Sequence, residues 1–234
     1  MDIYNLNISK WENLPAGKSQ YNVVSFNTLN DVDTLNLYNT WIKYWENERG
    51  WEYEFYQKDF IGKDVIEIGS GLGYDGIRMS KIVKTWTYCD INENNINFVK
   101  RICQLKNITN VDFKVIVDPL NYDYGKKFNA LWSHGVLHHI PIDFAKKEYE
   151  NINKFLEKDS KIMLLMYPKQ RWEKQGKMSF TTWGNITDGG CPWIEYYTED
   201  KVLDLVGKDY ELIDTQYSEK PWKYAFVNYL LKKE

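Results

Sequence analysis

One stretch limits what this chain can become more than any other: residues 64–76, which read D-V-I-E-I-G-S-G-L-G-Y-D-G. A short Val/Ile run closed by glycine reads as a buried strand. Gly69, Gly71 and Gly73 follow at alternate positions, where the lack of a Cβ lets the backbone turn tightly and bring its amides close to a ligand. With a helix expected over 73–82, this is a nucleotide-binding strand-loop-helix unit.

Two nucleotide classes fit such a loop. Residues 71–76 spell the dinucleotide pattern G-x-G-x-x-G, which would make the chain a nicotinamide-dependent oxidoreductase. That pattern wants its first glycine directly after the strand, and Gly69 holds that place, which puts Tyr74 where the third glycine belongs. The other pattern, an acidic residue two places before G-x-G-x-G, fits as written with Glu67. In this the stretch resembles motif I of the class I S-adenosylmethionine-dependent methyltransferases.

The next two strands can be read without that resemblance. Residues 85–89 form an apolar run that ends in Asp90, and an acidic side chain there can accept hydrogen bonds from both ribose hydroxyls of a nucleotide. Its structural alternative, an N-cap for the helix over 93–105, can be filled by Asn92 instead. A third strand over 111–117 is followed by Asp118.

The resemblance implies roles for these positions. Glu67, Gly69, Ser70, Gly71 and Gly73 would shape the cofactor loop, and Asp90 with Ile91 would hold the ribose. Asp118, Pro119 and Leu120 would flank the adenine, and Ser133 and His134 would lie beside the methionine moiety. S-adenosylmethionine would be the methyl donor and S-adenosylhomocysteine the product. The implied fold is α/β and Rossmann-like: a seven-stranded, mostly parallel sheet flanked by helices, ending in a hairpin whose last strand runs antiparallel. Alternating strand and helix patterns agree with it.

After a fourth strand over 128–133 comes S-H-G-V-L-H-H-I-P, which holds all three histidines of the chain, His134, His138 and His139. It resembles the segment that lines the reaction centre in small-molecule methyltransferases, where the position of His139 is most often histidine. An imidazole can take the proton of an attacking hydroxyl, so His139 is the first candidate for that role, with His138 and His134 as competitors; the structural alternative is a histidine that only orients the loop. His134 and His138 stand at helical spacing and invite a zinc reading, but Gly135 replaces the glutamate of H-E-x-x-H and no third ligand is nearby. No metal is expected. The N-P-P-Tyr/Phe motif of enzymes that methylate planar nitrogen is absent, since Ser133-His134 stands in its place, so oxygen is the expected acceptor.

Residues 1–58 read as an N-terminal helical arm or cap, and 59–234 as the methyltransferase domain. In the arm, 21–26 can be a short strand. Apolar residues from Val32 to Tyr56 recur at helical spacing, giving one helix or two broken near Gly50. Its apolar stripe packs on the sheet or caps the active site; the second option would bring Tyr21, Trp41 or Trp45 to the substrate. A helix over 141–156 and a fifth strand over 161–167 precede a long connection, 168–197, rich in turn residues and rings. A connection of that length is expected to be a functional loop. Tyr167, Trp183, Trp193 and Tyr196 can stack on a sugar or ring, while Lys169 and Arg171 can bind phosphate or carboxylate.

Composition narrows the partners. A net charge of -3 without a basic cluster argues against nucleic acid, and no apolar run is long enough to insert in a membrane or lead secretion. A cytoplasmic protein is expected, with Cys89, Cys103 and Cys191 reduced. The 10 Trp and 18 Tyr serve packing or an interface, which leaves room for a homodimer, or else a stacking surface for the acceptor. Together these features describe an O-methyltransferase for a small polar acceptor, first a sugar, nucleotide-sugar or other precursor of a surface polysaccharide such as a capsule. An aromatic or quinone metabolite is the alternative acceptor.

Overall fold

The computed structural model describes residues 2–13 and 28–234; Tyr21 and the strand expected over 21–26 lie outside them. Seven strands, β1 (Asp64–Ile68), β2 (Thr85–Asp90), β3 (Val111–Val115), β4 (Phe128–His134), β5 (Leu156–Met166), β6 (Tyr210–Tyr217) and β7 (Val227–Lys233), form one mixed sheet. Their order is β3-β2-β1-β4-β5-β7-β6. The β1–β2–β3 and β4–β5 pairings are parallel, and β7 is antiparallel to both β5 and β6, as the resemblance implies. β5 begins earlier than expected, because the polar residues 157–160 give no strand signal, and a register shift between Phe128 and Ala130 accommodates the extra length.

The chain divides into two compact units. One comprises residues 11–116 and contains β1 to β3. Its longest helix, Asp31–Phe60, starts from Asn30, whose side chain accepts from the Asp33 amide, and runs through Gly50 without a break. Glycine in a helix interior costs roughly 1 kcal/mol relative to alanine. Burial of Tyr38, Trp41, Tyr53, Tyr56 and Phe60 outweighs that. The helix packs on helices Tyr74–Met79 and Glu93–Leu105 of its unit; on the first, the Tyr53 hydroxyl donates to the buried Asp75 carboxylate and Glu46 accepts from Tyr74.

Gly76 has a packing reason of its own. A Cβ there would lie 2.3 Å from Trp86 Nε1, and one on Gly73 would lie 2.4 Å from Val99 Cγ1. The helix Tyr74–Met79 can settle on β2 only because residue 76 has no side chain, so the last glycine of G-x-G-x-x-G serves the core.

The other unit comprises residues 1–10 and 117–234. It carries β4 to β7, a 3-10 turn Leu137–His139, and helices Ile142–Asn153, Lys169–Lys174, Phe180–Ile186 and Glu199–Val206. The connection after β5 has structure of its own: two of these helices lie in it, and its ends meet in a parallel bridge between Pro168 and Tyr197. Gly184 rests against the Cys191 carbonyl, 2.3 Å from where a Cβ would sit. The first helix of the chain, Ile3–Asn13, contributes its start to this unit. Tyr4 stacks on Phe144 with ring centroids 4.5 Å apart and donates to Glu148 Oε1 at 2.8 Å.

Two consequences can be measured. Gly76→Ala should destabilise the fold by about 1–3 kcal/mol, the usual cost of overpacking a tight core, read from urea unfolding; an unchanged midpoint contradicts the packing described. Burial pushes the Glu148 carboxyl up from 4.5 to about 7, so the folded state holds a proton that the unfolded chain releases. Its contribution is therefore present below about pH 4.5 and is lost as pH rises toward 7. Glu148→Gln keeps an acceptor for Tyr4 and removes the titration. Relative to that variant, the protein should lose on the order of 3 kcal/mol between pH 5 and pH 8; a constant difference would contradict it.

Candidate functional site

In the unit that holds β1 to β3, the loop after β1 is drawn onto the end of β2. Gly69, Gly71 and Gly73 all take positive φ, 67°, 51° and 72°. The turn is closed by Ser70 N donating to Cys89 O at 3.0 Å and Gly73 N to Ser70 O at 2.8 Å. Asp90 secures it: Oδ2 accepts from the Gly71 amide at 2.8 Å and Oδ1 from the Asn92 amide at 2.8 Å. Asn92 itself caps the helix Glu93–Leu105, accepting from the Asn94 and Asn95 amides, which leaves Asp90 clear of that task.

Burial pushes the Asp90 carboxyl up to about 6, against the pull of its amide donors. The Ser70 hydroxyl is buried and has no hydrogen-bond partner among the described residues, an orphan that a ligand in the loop can satisfy. Ile91 is half-buried beside Asp90. Glu67 has a different setting from its loop neighbours. It is buried and accepts from Trp86 Nε1 at 2.7 Å, and burial together with the nearby Asp75 carboxylate raises its pKa well above the usual range. Its carboxyl is tied to the core, and neither Trp86 nor Asp75 is predictable as its neighbour from the local sequence.

In the other unit, Asp118 is exposed and organises its own turn, accepting from the Leu120 amide at 3.1 Å and from Asn121 Nδ2 at 2.9 Å. The Pro119 carbonyl takes Asn151 Nδ2 at 3.2 Å. Ser133, near the end of β4, is buried with its hydroxyl unpartnered among the described residues.

The three histidines do not share a helical face. His134 ends β4, half-buried, with its ring 4.6 Å from that of Trp132. Gly135, at φ 70°, turns the chain into the 3-10 turn that carries His138 and His139. His138 is fully buried and stacks on Tyr167 at 4.1 Å between ring centroids. His139 is buried too, with Nδ1 3.3 Å from Cys191 Sγ and Nε2 3.7 Å from Asp188 Oδ2. Burial holds both imidazoles toward the neutral form, His139 at about 4 and His138 well below the ordinary range.

The connection 168–197 is fastened over this turn. Glu195 N donates to His138 O at 2.8 Å, and Glu195 Oε2 accepts from the Ile142 amide at 3.2 Å. The start of the first helix joins in, with Lys10 Nζ donating to Asp188 O at 2.7 Å and Asn7 Oδ1 accepting from Cys191 Sγ at 3.1 Å.

Of the expected acceptor-binding residues, Tyr167 and Arg171 come together beneath the histidines. Tyr167 donates to Asp188 Oδ2 at 2.6 Å, and the buried Arg171 lies 3.6 Å over its ring. Lys169 is exposed. Trp193 and Tyr196 are half-buried on the connection around Phe180, with Tyr196 4.9 Å from Trp172 and under the Lys201 ammonium at 4.3 Å. Sequence reasoning missed Asp188, Cys191, Asn7 and Lys10. Asp188 precedes Gly189-Gly190 and reads as an ordinary turn residue, so nothing local marks it.

The sequence profile of the methyltransferase-domain family matches residues 60–213. Among solved structures, magnesium protoporphyrin IX methyltransferase of Synechocystis with bound S-adenosylmethionine is similar at a TM-score of 0.62 and 13% identity, covering 100% of this chain and 98% of that one. N-methyltransferase NodS of Bradyrhizobium japonicum with S-adenosylhomocysteine gives 0.60 and 10%, covering 99% of each. An S-adenosylmethionine-dependent methyltransferase of Clostridium acetobutylicum gives 0.63 and 11%, covering 84% of this chain and 99% of that one. On the profile match and the sheet order, the chain belongs to the methyltransferase-domain family and has the class I S-adenosylmethionine-dependent methyltransferase fold.

Proposed function

We propose that the chain transfers a methyl group from S-adenosylmethionine to a hydroxyl of a small polar acceptor. The observation that carries the cofactor assignment is the Asp90 carboxylate at the end of β2, bound to the Gly71 amide beside the Ser70 hydroxyl, which has no partner among the described residues. An ionised carboxylate offers about four lone-pair sites; Asp90 accepts from the Gly71 and Asn92 amides, with the Ile91 amide and the Asn95 side chain close by, so the ribose hydroxyls would share its oxygens with these donors. Asp118, exposed and oriented by its own turn, is suited to receive the adenine amine. Bound there, the cofactor supplies an electrophilic methyl on a sulfonium.

The segment 134–139 supports oxygen as acceptor, because a neutral imidazole can take a hydroxyl proton. His134 is half-buried, with its Nε2 enclosed, while His138 and His139 are buried, so its ring is the first candidate to meet an acceptor. A sugar, nucleotide-sugar or other surface-polysaccharide precursor ranks first as substrate. The half-buried Trp193 and Tyr196 and the exposed Lys169 support it, as an aromatic platform and a cation for a polar, charged molecule. An aromatic or quinone metabolite would use the same rings.

Calorimetry with S-adenosylhomocysteine should show Asp90→Ala binding roughly ten- to a hundredfold more weakly, the worth of hydrogen bonds to a charged acceptor; an unchanged dissociation constant removes Asp90 from the site. Labelled methyl transfer into fractionated cell metabolites should yield an O-methyl ether by mass spectrometry. A methylamine product, or NADH binding in place of S-adenosylhomocysteine, contradicts the assignment. His134→Ala should slow turnover by about a hundred- to ten-thousandfold while S-adenosylhomocysteine binding stays within twofold, and undiminished turnover excludes His134 as the base.

A further inference from the structure

We infer that Arg171 and Asn228 form a subsite for an oxyanion, the phosphate or carboxylate group of the acceptor. The identity of the carrier rests on the methyl-transfer reading, whereas the demand for an anion comes from the residues themselves.

The first observation is a buried cation without a counter-charge. Arg171 is 6% exposed, and no carboxylate among the described residues forms an ion pair with it. Residues 1 and 14–27, outside the described set, include no Asp or Glu. The rings around the guanidinium are neutral: Tyr167, Trp222 and Phe226 lie with their centroids 3.6, 5.4 and 5.6 Å from its Cζ. Stacking on rings recovers only part of the cost of taking a charge out of water, and buried charges are as a rule paired. Of the five N–H donors of a guanidinium, one on Nη1 goes to the Ala225 carbonyl at 2.9 Å and one to the Tyr167 hydroxyl. Three are left for a ligand, enough for the two-pronged grip that Arg takes on carboxylate or phosphate.

The charges nearby agree. Arg171 and Lys10 are the cations that act on the histidine turn, and Asp188 is the carboxylate. Asp188 is already engaged, accepting from Tyr167 at 2.6 Å and facing His139 Nε2 at 3.7 Å. Burial keeps His138 and His139 neutral, so Lys10, Arg171 and Asp188 together carry one positive charge more than negative.

The second observation is Asn228, on β7 between β5 and β6. It is 1% exposed, and neither its amide oxygen nor its amide nitrogen has a partner among the described residues. Buried amides are nearly always hydrogen-bonded. Asn228 pairs with Leu165 across the strands. Phe226 and Tyr167, two residues from each, share that face by strand alternation, and they are rings that lie beside Arg171. Both residues thus border the same two rings, and the Asn228 NH2 supplies a further donor to an anion held on Arg171.

The same row of the sheet reaches the proposed base. His134 pairs with Leu165, and Leu165 with Asn228. Two strand spacings are roughly 10 Å, a span that a sugar ring with one charged substituent can bridge, from a hydroxyl at His134 to the anion. A neutral acceptor would leave Arg171 unpaired and is selected against.

The test follows labelled methyl transfer by the full-length protein into cell metabolites, with the product resolved by anion exchange before and after treatment with phosphatase and nucleotide pyrophosphatase. The labelled ether should be retained as an anion; a shift on treatment assigns a phosphate, and resistance a carboxylate. With the fraction that holds the acceptor, Arg171→Met should raise KM at least about tenfold while S-adenosylhomocysteine affinity stays within twofold. Arg171→Lys, which keeps the charge but not the fork, should recover part of that loss. Asn228→Leu should also raise KM, and its urea midpoint should hold or rise because an unpaired amide is removed; it carries the comparison if Arg171→Met does not fold. An uncharged product, or an unchanged KM in the folded variants, overturns the subsite. So does a lower midpoint for Asn228→Leu with KM unchanged, the mark of a purely structural residue. If nothing is labelled, calorimetry with inorganic phosphate and with acetate decides separately: binding of either that Arg171→Met or Asn228→Leu abolishes keeps the subsite while the methyl-transfer reading falls, and binding of neither removes the subsite.

Discussion

The fold around the glycine loop depends on one buried carboxylate. Asp90 is the last residue of β2, yet its two oxygens bind amides on either side, Gly71 in the loop after β1 and Asn92 at the start of the next helix. Burying a carboxylate is expensive unless its lone pairs are used, and burial does push its pKa up to about 6. The amide donors compensate enough to keep it ionised at neutral pH. Without them the loop would lose the contact that holds its left-handed turns against the strand ends. The same group is thus a structural clamp and the acceptor proposed for the ribose.

Much of this unit was legible in the sequence because its signals are local. The strand-glycine pattern, the acidic residue ending β2 and the Asn92 cap all sit within a few residues of what they control. Glu67 shows the limit of that logic. Its place in the motif is readable, but its bond to Trp86 and its proximity to Asp75 depend on how Gly76 lets a helix approach β2. The helix Asp31–Phe60 shows another, since Gly50 weakens a helix locally while burial of distant turns decides the outcome.

The histidine turn was found and its partners were not. Three histidines in six residues attract notice, whereas Asp188 and Cys191 sit in a glycine-rich turn whose residue types are explained by the turn itself. They reach His139 only because the connection after β5 is structured and pinned by Glu195 to the His138 carbonyl. Rings that looked like substrate platforms divide by burial. Trp183 is a core residue bonded to Gln175, while Trp193 and Tyr196 keep part of their surface open. Length and composition announce such an insertion; its internal contacts come from long-range packing.

The most direct measurement is a crystal structure of the protein with S-adenosylhomocysteine. The ribose hydroxyls should both lie within hydrogen-bonding distance of the Asp90 carboxylate, with the Gly71 amide still donating to it. Density for the nucleoside away from Asp90, or a carboxylate rotated out to solvent, would contradict the assignment at its base.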